Sequence, residues 1–212
     1  MPKSFELTDQ HCQILKPLTS KVRVLTYTQI ARTLFSLHSH QDEQLQRMVT
    51  ELEESDFLTS FSAMVHPEIV LDAPLCRYSP GDRQPDFLKV ARETRGRWKR
   101  APVMTKIVYA TKRAQRVFGG YLGGKKPRPS ETRHDIHVAQ LYLNLCQRDP
   151  AAAAAWISEA QLRQERGPQG GPLPDAVIRT AEPVIIEFGG AYSRQKLEAF
   201  HVQQKTKTYE IW

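Results

Sequence analysis

The sequence predicts an α+β chain built from two folded parts joined by a strongly basic middle. Three observations lead there. Apolar residues recur at three- and four-residue spacing through the N-terminal quarter, the period of amphipathic helices. Short β-branched runs separated by turn residues mark the C-terminal end. Between them, Lys89 to Arg133 holds fourteen basic side chains against only Glu93 and Glu131, a net +12. The whole chain carries +7, so everything outside that stretch sums to −5. At 212 residues, 40% hydrophobic and 25% charged, the chain has the composition of a globular protein and the length to bury a substantial core.

The first helix is expected after the capping residues Thr8 and Asp9, burying Ile14 and Leu15 and ending or kinking at Pro17. A second begins at Thr26 or Thr28, with Ile30, Leu34 and Leu37 on one face beside Ala31 and Phe35. Ser39 caps a third whose buried stripe is Leu45, Met48, Val49 and Leu52. Strand-like pieces at Phe61–Val65 and Ile69–Leu71 then complete three helices and a small β-hairpin, the order of a winged helix. Its third helix would expose Gln41, Gln44 and Arg47 toward base edges or phosphates, although Asp42 and Glu43 at its start repel phosphate. A helix-turn-helix used only for dimerisation is the alternative.

Cys76–Asp86 is rich in turn residues and closes this first module. Phe87–Trp98 is a basic helix candidate, Val103–Ala110 a strand and Ala110–Phe118 a short helix. Gly119, Gly120, Gly123 and Gly124 lead into Lys125 and Lys126 without the GxxxxGK[ST] spacing of a phosphate-binding loop, so they read as a flexible basic loop. His134–Cys146 is an amphipathic helix. Ala151–Leu162 is ambiguous, its alanines favouring helix and Trp156–Glu159 strand. Arg163–Pro174 reads as loop, Asp175–Arg179 and Pro183–Phe188 as two strands, Ser193 as the cap of a helix to Lys205, and Tyr209–Trp212 as a last strand.

If Trp156–Glu159 is a strand, the C-terminal part runs αβββαβ, the core of restriction-endonuclease-like folds. The expected division is therefore a winged-helix module over 1–80, a basic connecting segment over 81–132 and a restriction-endonuclease-like domain over 133–212. Nucleases of that fold hold divalent metal with an acid on the second strand and another on the third, followed by x-Lys. Asp175 and Glu187 supply the acids, and Glu159 is a candidate third ligand. Gly189 stands where the lysine would be, leaving Lys196 on the next helix as the candidate catalytic lysine that positions the attacking water. Mg²⁺ is expected only if that chemistry operates, and a degenerate, non-catalytic domain is the competing expectation.

Other chemistry finds little support. Cys12, Cys76 and Cys146 form neither a disulfide framework nor a zinc motif. His134 and His137 make a helical HxxH without an evident third ligand, His201 lies far along the chain, and no Gly-x-Ser-x-Gly occurs. No apolar run approaches the length of a membrane span and the first residues lack the apolar core of a secretory signal, so a cytoplasmic, nucleoid-associated protein is expected.

Leu45-Gln46-Arg47-Met48-Val49 followed by Phe57-Leu58, His134-Asp135 with Val138-Ala139, Leu173-Pro174-Asp175-Ala176, the run ending at Glu187, and Lys196 with Tyr209 together resemble the replication-relaxation family of plasmids and other mobile elements. The resemblance implies DNA binding, a role in plasmid replication, relaxation or transfer, and a nuclease-like fold. The chain departs from the family in a third helix poorer in arginine and in Glu187-Phe188-Gly189-Gly190, which lacks a further acid.

The expected partner is double-stranded DNA, with a second copy of the chain or other replication and transfer proteins as further partners, and no membrane. Phosphate contacts are assigned to Arg92, Arg95, Arg97, Lys99, Arg100, Lys112, Arg113, Lys125, Lys126 and Arg128. The leading expectation is a DNA-binding accessory or regulatory protein. A Mg²⁺-dependent endonuclease and a protein–protein adaptor are the alternatives.

Overall fold

The computed structural model describes residues 5–34, 41–167 and 171–212. The fold is mixed α+β, with two sheets, and divides into two compact units. Unit 1 comprises 1–65 and 103–143; unit 2 comprises 66–102 and 144–212. Boundaries at 80 and 132 are therefore not where the chain divides. The segment 103–143 pairs and packs with the N-terminal residues, so no independent connecting segment exists.

Unit 1 opens with α1 (Asp9–Ser20). Its N-terminus is closed by reciprocal bonds: the His11 N–H donates to Thr8 Oγ1 (3.3 Å), and the Thr8 N–H donates to His11 Nδ1 (3.2 Å). Pro17 does not end this helix, which runs three residues further, with Lys21 N–H donating to Pro17 O. Burial of Ile14, Leu15 and Leu18 on one face outweighs the missing N–H. Strand β1 (Leu25–Thr26) leads into α2 (Tyr27–Leu34), whose start is fixed by a second reciprocal pair between Thr26 and Gln29. Helix α3 (Gln41–Glu54) buries the expected Leu45, Met48, Val49 and Leu52; Ser39, Phe35 and Leu37 lie outside the described residues.

Strand β2 (Leu58–Val65) finds its partner not at Ile69–Leu71, which is no strand, but at β4 (Val103–Ala110). The two pair antiparallel from Leu58↔Ala110 to Val65↔Val103, and β1 pairs with the far edge of β4, giving the order β1-β4-β2. The reason is burial: Ile107 joins Val24, Val65 and Ile136 in one core cluster, while Leu58, Val108 and Ala110 are buried on the opposite face of the ladder. Helix α5 (Lys112–Phe118) follows, capped by Thr111, whose hydroxyl donates to Asp56 O and accepts from Ala114 N. Helix α6 (Pro129–Arg148) begins in unit 1, where the buried Gln29 amide donates to Ile136 O at 2.9 Å.

Unit 2 starts from a correction. Cys76–Tyr78, read as turn, is strand β3, paired antiparallel with β8 (Thr208–Ile211) in the register Cys76↔Ile211. Helix α4 is Phe87–Gly96. The ambiguous alanine segment resolves into both states: α7 (Pro150–Ala154), capped by Asp149, then β5 (Trp156–Ser158), then α8 (Glu159–Arg166). Strands β6 (Ala176–Ile178) and β7 (Val184–Glu187) form the expected hairpin, and α9 (Arg194–Gln204) is capped by Ser193. The sheet order is β3-β8-β7-β6-β5, antiparallel except for the parallel β7/β8 pair that α9 connects. Its core gathers Phe87, Val90, Ile185, Leu197, Tyr209 and Ile211.

Candidate functional site: a carboxylate pair and two basic surfaces

The β6/β7 ladder ends at the pair Ala176↔Ile186, and Asp175 and Glu187 are the next residues beyond that pair, at the open end of the hairpin. Asp175 is held there by the Phe188 N–H, which donates to Oδ2 at 2.7 Å. Glu187 is buried, 8% exposed, and its Oε1 accepts from the Tyr192 hydroxyl at 2.6 Å. Burial first, then the charges of Glu187 and Asp175, drives the Tyr192 phenol far above its ordinary range; it is a permanent donor.

Lys196, from the first turn of α9, lies with Nζ 3.4 Å from the centroid of the Tyr192 ring. The structure thus brings three of the sequence candidates, Asp175, Glu187 and Lys196, around one tyrosine that the sequence reading missed. The only local signal was an isolated aromatic between small residues and the Ser193 cap.

At Gly189, two residues past Glu187, where an acid-x-Lys pattern has its lysine, the space for a side chain is tight. A Cβ there would meet Thr94 Cγ2 at 3.0 Å and Ile211 Cγ2 at 3.3 Å. Its backbone is also used, the N–H donating to Trp212 O (2.7 Å) and the carbonyl accepting from Arg97. Arg97 was expected to contact phosphate. Instead its guanidinium lies 4.3 Å over the Phe188 ring, donates to Gly189 O and Trp212 O, and has its pKa lowered to about 10 by burial. It ties strand ends together inside unit 2.

Glu159 is not on the first strand. It is the first residue of α8, its N–H donating to Asp175 O while its carboxylate pairs with Arg163 one turn on. Among the described residues, no three His, Cys, Asp or Glu side chains converge to hold a metal ion. The Asp175–Glu187 pair is nevertheless a hard-oxygen donor set of the kind Mg²⁺ uses, since that ion takes one or two carboxylates and fills its octahedron with water and phosphate oxygens.

The histidines are structural: His137 is buried with Nδ1 at 2.7 Å from Arg133 O, and His201 is buried with Nδ1 at 2.8 Å from the Tyr209 hydroxyl. An open apolar groove of about 760 Å³ in unit 2, lined by Leu162, Leu173, Val177 and Ile185 among others, contains none of the candidate residues.

The basic stretch is divided between the two units. Arg92, Arg95, Lys99 and Arg100 are exposed on unit 2, whereas Lys106, Lys112, Arg113, Arg116, Lys125, Lys126, Arg128 and Arg133 are exposed on unit 1. On α3, Gln44 and Arg47 are exposed as expected; the side chain of Gln41 lies outside the described residues.

The glycine-rich segment is docked rather than flexible. Leu122 is buried and its N–H donates to Thr19 O (2.9 Å), Gly124 N–H donates to Ala110 O (2.7 Å), and the Gln115 amide donates to Gly120 O. Glycine is needed at both places: a Cβ on Gly120 would fall 1.9 Å from Thr19 O, a backbone atom, and Gly124 holds a left-handed φ of 71°.

No helix among the described residues is long and apolar enough to cross a membrane. Compared with protein-family models, with curated proteins and with solved structures, the chain matches none.

Proposed function

We propose that the protein binds double-stranded DNA, as an accessory or regulatory protein of a plasmid or other mobile element in the replication-relaxation family. The observation that carries this reading is the connectivity of unit 1. Helix, strand, two helices, then two long paired strands that flank 66–102, in the order β1-β4-β2, support a winged-helix reading of unit 1. The charge agrees. Unit 1 residues 103–133 hold eight bases and one acid, a net +7, and all eight bases are exposed. Such a surface gains affinity for a polyanion through counterion release.

The order β5-β6-β7 antiparallel, then α9, then β8 parallel to β7 supports a restriction-endonuclease-like core for unit 2. The test is a gel shift with labelled duplex at two salt concentrations, competed with heparin. Salt-sensitive binding that prefers duplex to heparin supports the reading. Binding that heparin removes as readily as duplex favours an adaptor for acidic partners.

The placement of Asp175 and Glu187 at the open end of one hairpin favours one second reading, a Mg²⁺-dependent endonuclease. In it the two carboxylates would hold the ion, which supplies charge neutralisation at the phosphate and an acidified water, and Lys196 would orient that water. Nicking of supercoiled plasmid that vanishes in Asp175→Ala/Glu187→Ala would establish it. Absence of nicking with Mg²⁺ or Mn²⁺ would leave a DNA-binding protein on a non-catalytic domain.

A further inference from the structure

We infer that unit 1 holds the DNA backbone with α5 and the docked glycine segment, through Lys112, Arg113, Arg116, Lys125 and Lys126, and not with α3. The inference rests on the DNA-binding reading and assigns its contact surface.

Charge separates the two surfaces. Helix α3, the element that enters the groove in helix-turn-helix proteins, carries Asp42, Glu43, Glu51, Glu53 and Glu54 against Arg47 alone, a net −4. Like charges repel, so setting this helix against phosphates is opposed, even with Glu51 beside His11 and Glu53 accepting from the Ser60 N–H. From Thr94 to Ser130, by contrast, no Asp or Glu occurs.

Geometry gathers the bases of that acid-free run. Lys112 and Arg116 stand one turn apart on α5, with Arg113 beside them and its guanidinium carbon 4.7 Å over the Phe57 ring. Gly124, whose N–H donates to Ala110 O just before α5, lies against the Lys112 side chain, and Lys125 and Lys126 follow it directly in the chain. Lys126 Nζ is 4.7 Å from the centroid of the Phe61 ring on β2, which anchors that end of the cluster. All five bases are exposed.

The scaffold beneath them is rigid. Leu122 is buried, three backbone hydrogen bonds pin the segment to Thr19, Ala110 and Gln115, and Gly120 lies directly against the Thr19 backbone. A pre-ordered set of cations binds a polyanion without the cost of ordering a loop. Because these residues contact phosphate rather than bases, binding through them carries affinity and little sequence preference.

The experiment is fluorescence anisotropy of a labelled duplex across a salt series, with the full-length protein and three variants: Lys125→Ala/Lys126→Ala, Lys112→Ala/Arg116→Ala, and Gln44→Ala/Arg47→Ala. Circular dichroism confirms that each is folded. Five neutralised phosphates give a log–log salt slope of about −4.5, a weakening of about 500-fold between about 50 and 200 mM salt. Each double variant of the cluster should lower the slope to about −2.7 and that weakening to about 40-fold, while Gln44→Ala/Arg47→Ala keeps the wild-type slope.

Wild-type slopes in both cluster variants, with loss confined to Gln44→Ala/Arg47→Ala, would overturn the assignment and leave the DNA-binding reading standing. No duplex binding by the wild-type protein would remove that reading and the assignment with it.

Discussion

Substituting Gly120 by alanine should destabilise the protein far more than the same change at its neighbour Gly119. At Gly119 the backbone is left-handed (φ 68°) as the cap of α5, but a Cβ there meets nothing within 4 Å. The cost is only the left-handed penalty, about 1 kcal/mol. At Gly120 the added carbon would sit 1.9 Å from Thr19 O and 2.5 Å from Thr19 C, both backbone atoms that cannot rotate away. The segment must lift, which breaks the Leu122 N–H to Thr19 O bond and opens the packing of Leu122, now 8% exposed.

A lost backbone bond is worth about 1 kcal/mol and partial exposure of a leucine about another. Residual overpacking adds roughly 1 kcal/mol more, for a total near 3. For a chain of this size that corresponds to a fall in Tm of roughly 6–12 °C, against roughly 2–4 °C for Gly119→Ala. Thermal unfolding followed by circular dichroism separates the two. Equal falls, or a larger one for Gly119→Ala, would refute the reasoning that the segment is docked on α1.

Tyr192→Phe removes the hydroxyl donor to the buried Glu187 and should lower stability by about 1–2 kcal/mol, seen as a lower urea midpoint at unchanged slope; an unmoved midpoint refutes the bond. Burial lowers the pKa of His201, and of His11 despite Glu51 beside it, so both are neutral in the fold and bind more protons when unfolded. Stability from this source is therefore complete above about pH 6.5 and lost as pH falls below it, and a Tm that is flat from neutral pH down to about 5 would contradict this. Cys76 is buried in an apolar cluster that pushes its thiol to about 11, so in the native protein it should resist a thiol reagent near neutral pH while the half-buried Cys12 and Cys146 react; rapid native modification of all three would count against the packing of unit 2.

What could be read from the sequence is what short-range chemistry decides. Thr8, Thr26, Thr111 and Ser193 each cap the helix they precede, because a side-chain oxygen and an exposed N–H three residues on need no tertiary help. The bounds of β4 follow from its β-branched run. The misreadings have the opposite character. Ile69–Leu71 has strand-forming residues and no partner strand, whereas Cys76–Tyr78 is surrounded by prolines and turn residues yet pairs with Thr208–Ile211, more than a hundred positions away. Three residues alternating buried, exposed, buried are too short a signal without that partner. The division into units was hidden for the same reason, since β2 bypasses its neighbours for a strand beyond 66–102. Asp175 and Glu187 were legible because one tight hairpin connects them; Tyr192 was not, because only the return of the chain after Gly189-Gly190 aims its hydroxyl at Glu187.

That return also decides what unit 2 can do. In an acid-x-Lys arrangement the lysine stands two residues past the acid, and here that place is filled by Gly189, wedged against Thr94 and Ile211 and bonded through both backbone groups. A lysine at 189 would therefore press on the Thr94 and Ile211 methyls, which must give by a few tenths of an ångström, as well as add a charge. A basic group serving Asp175 and Glu187 would have to come from elsewhere, and the candidate is Lys196, whose ammonium lies over the face of Tyr192. The same tyrosine occupies Glu187 Oε1, so ring and hydroxyl act in opposite senses. The ring holds the Lys196 ammonium, and the hydroxyl competes with a cation for the carboxylate. Tyr192→Phe keeps the first effect and deletes the second. If unit 2 cleaves DNA, this variant should need less Mg²⁺ for half-maximal nicking than wild type, while Tyr192→Ala should lose activity. If both variants nick like wild type, the tyrosine is packing alone and the carboxylate pair works without it.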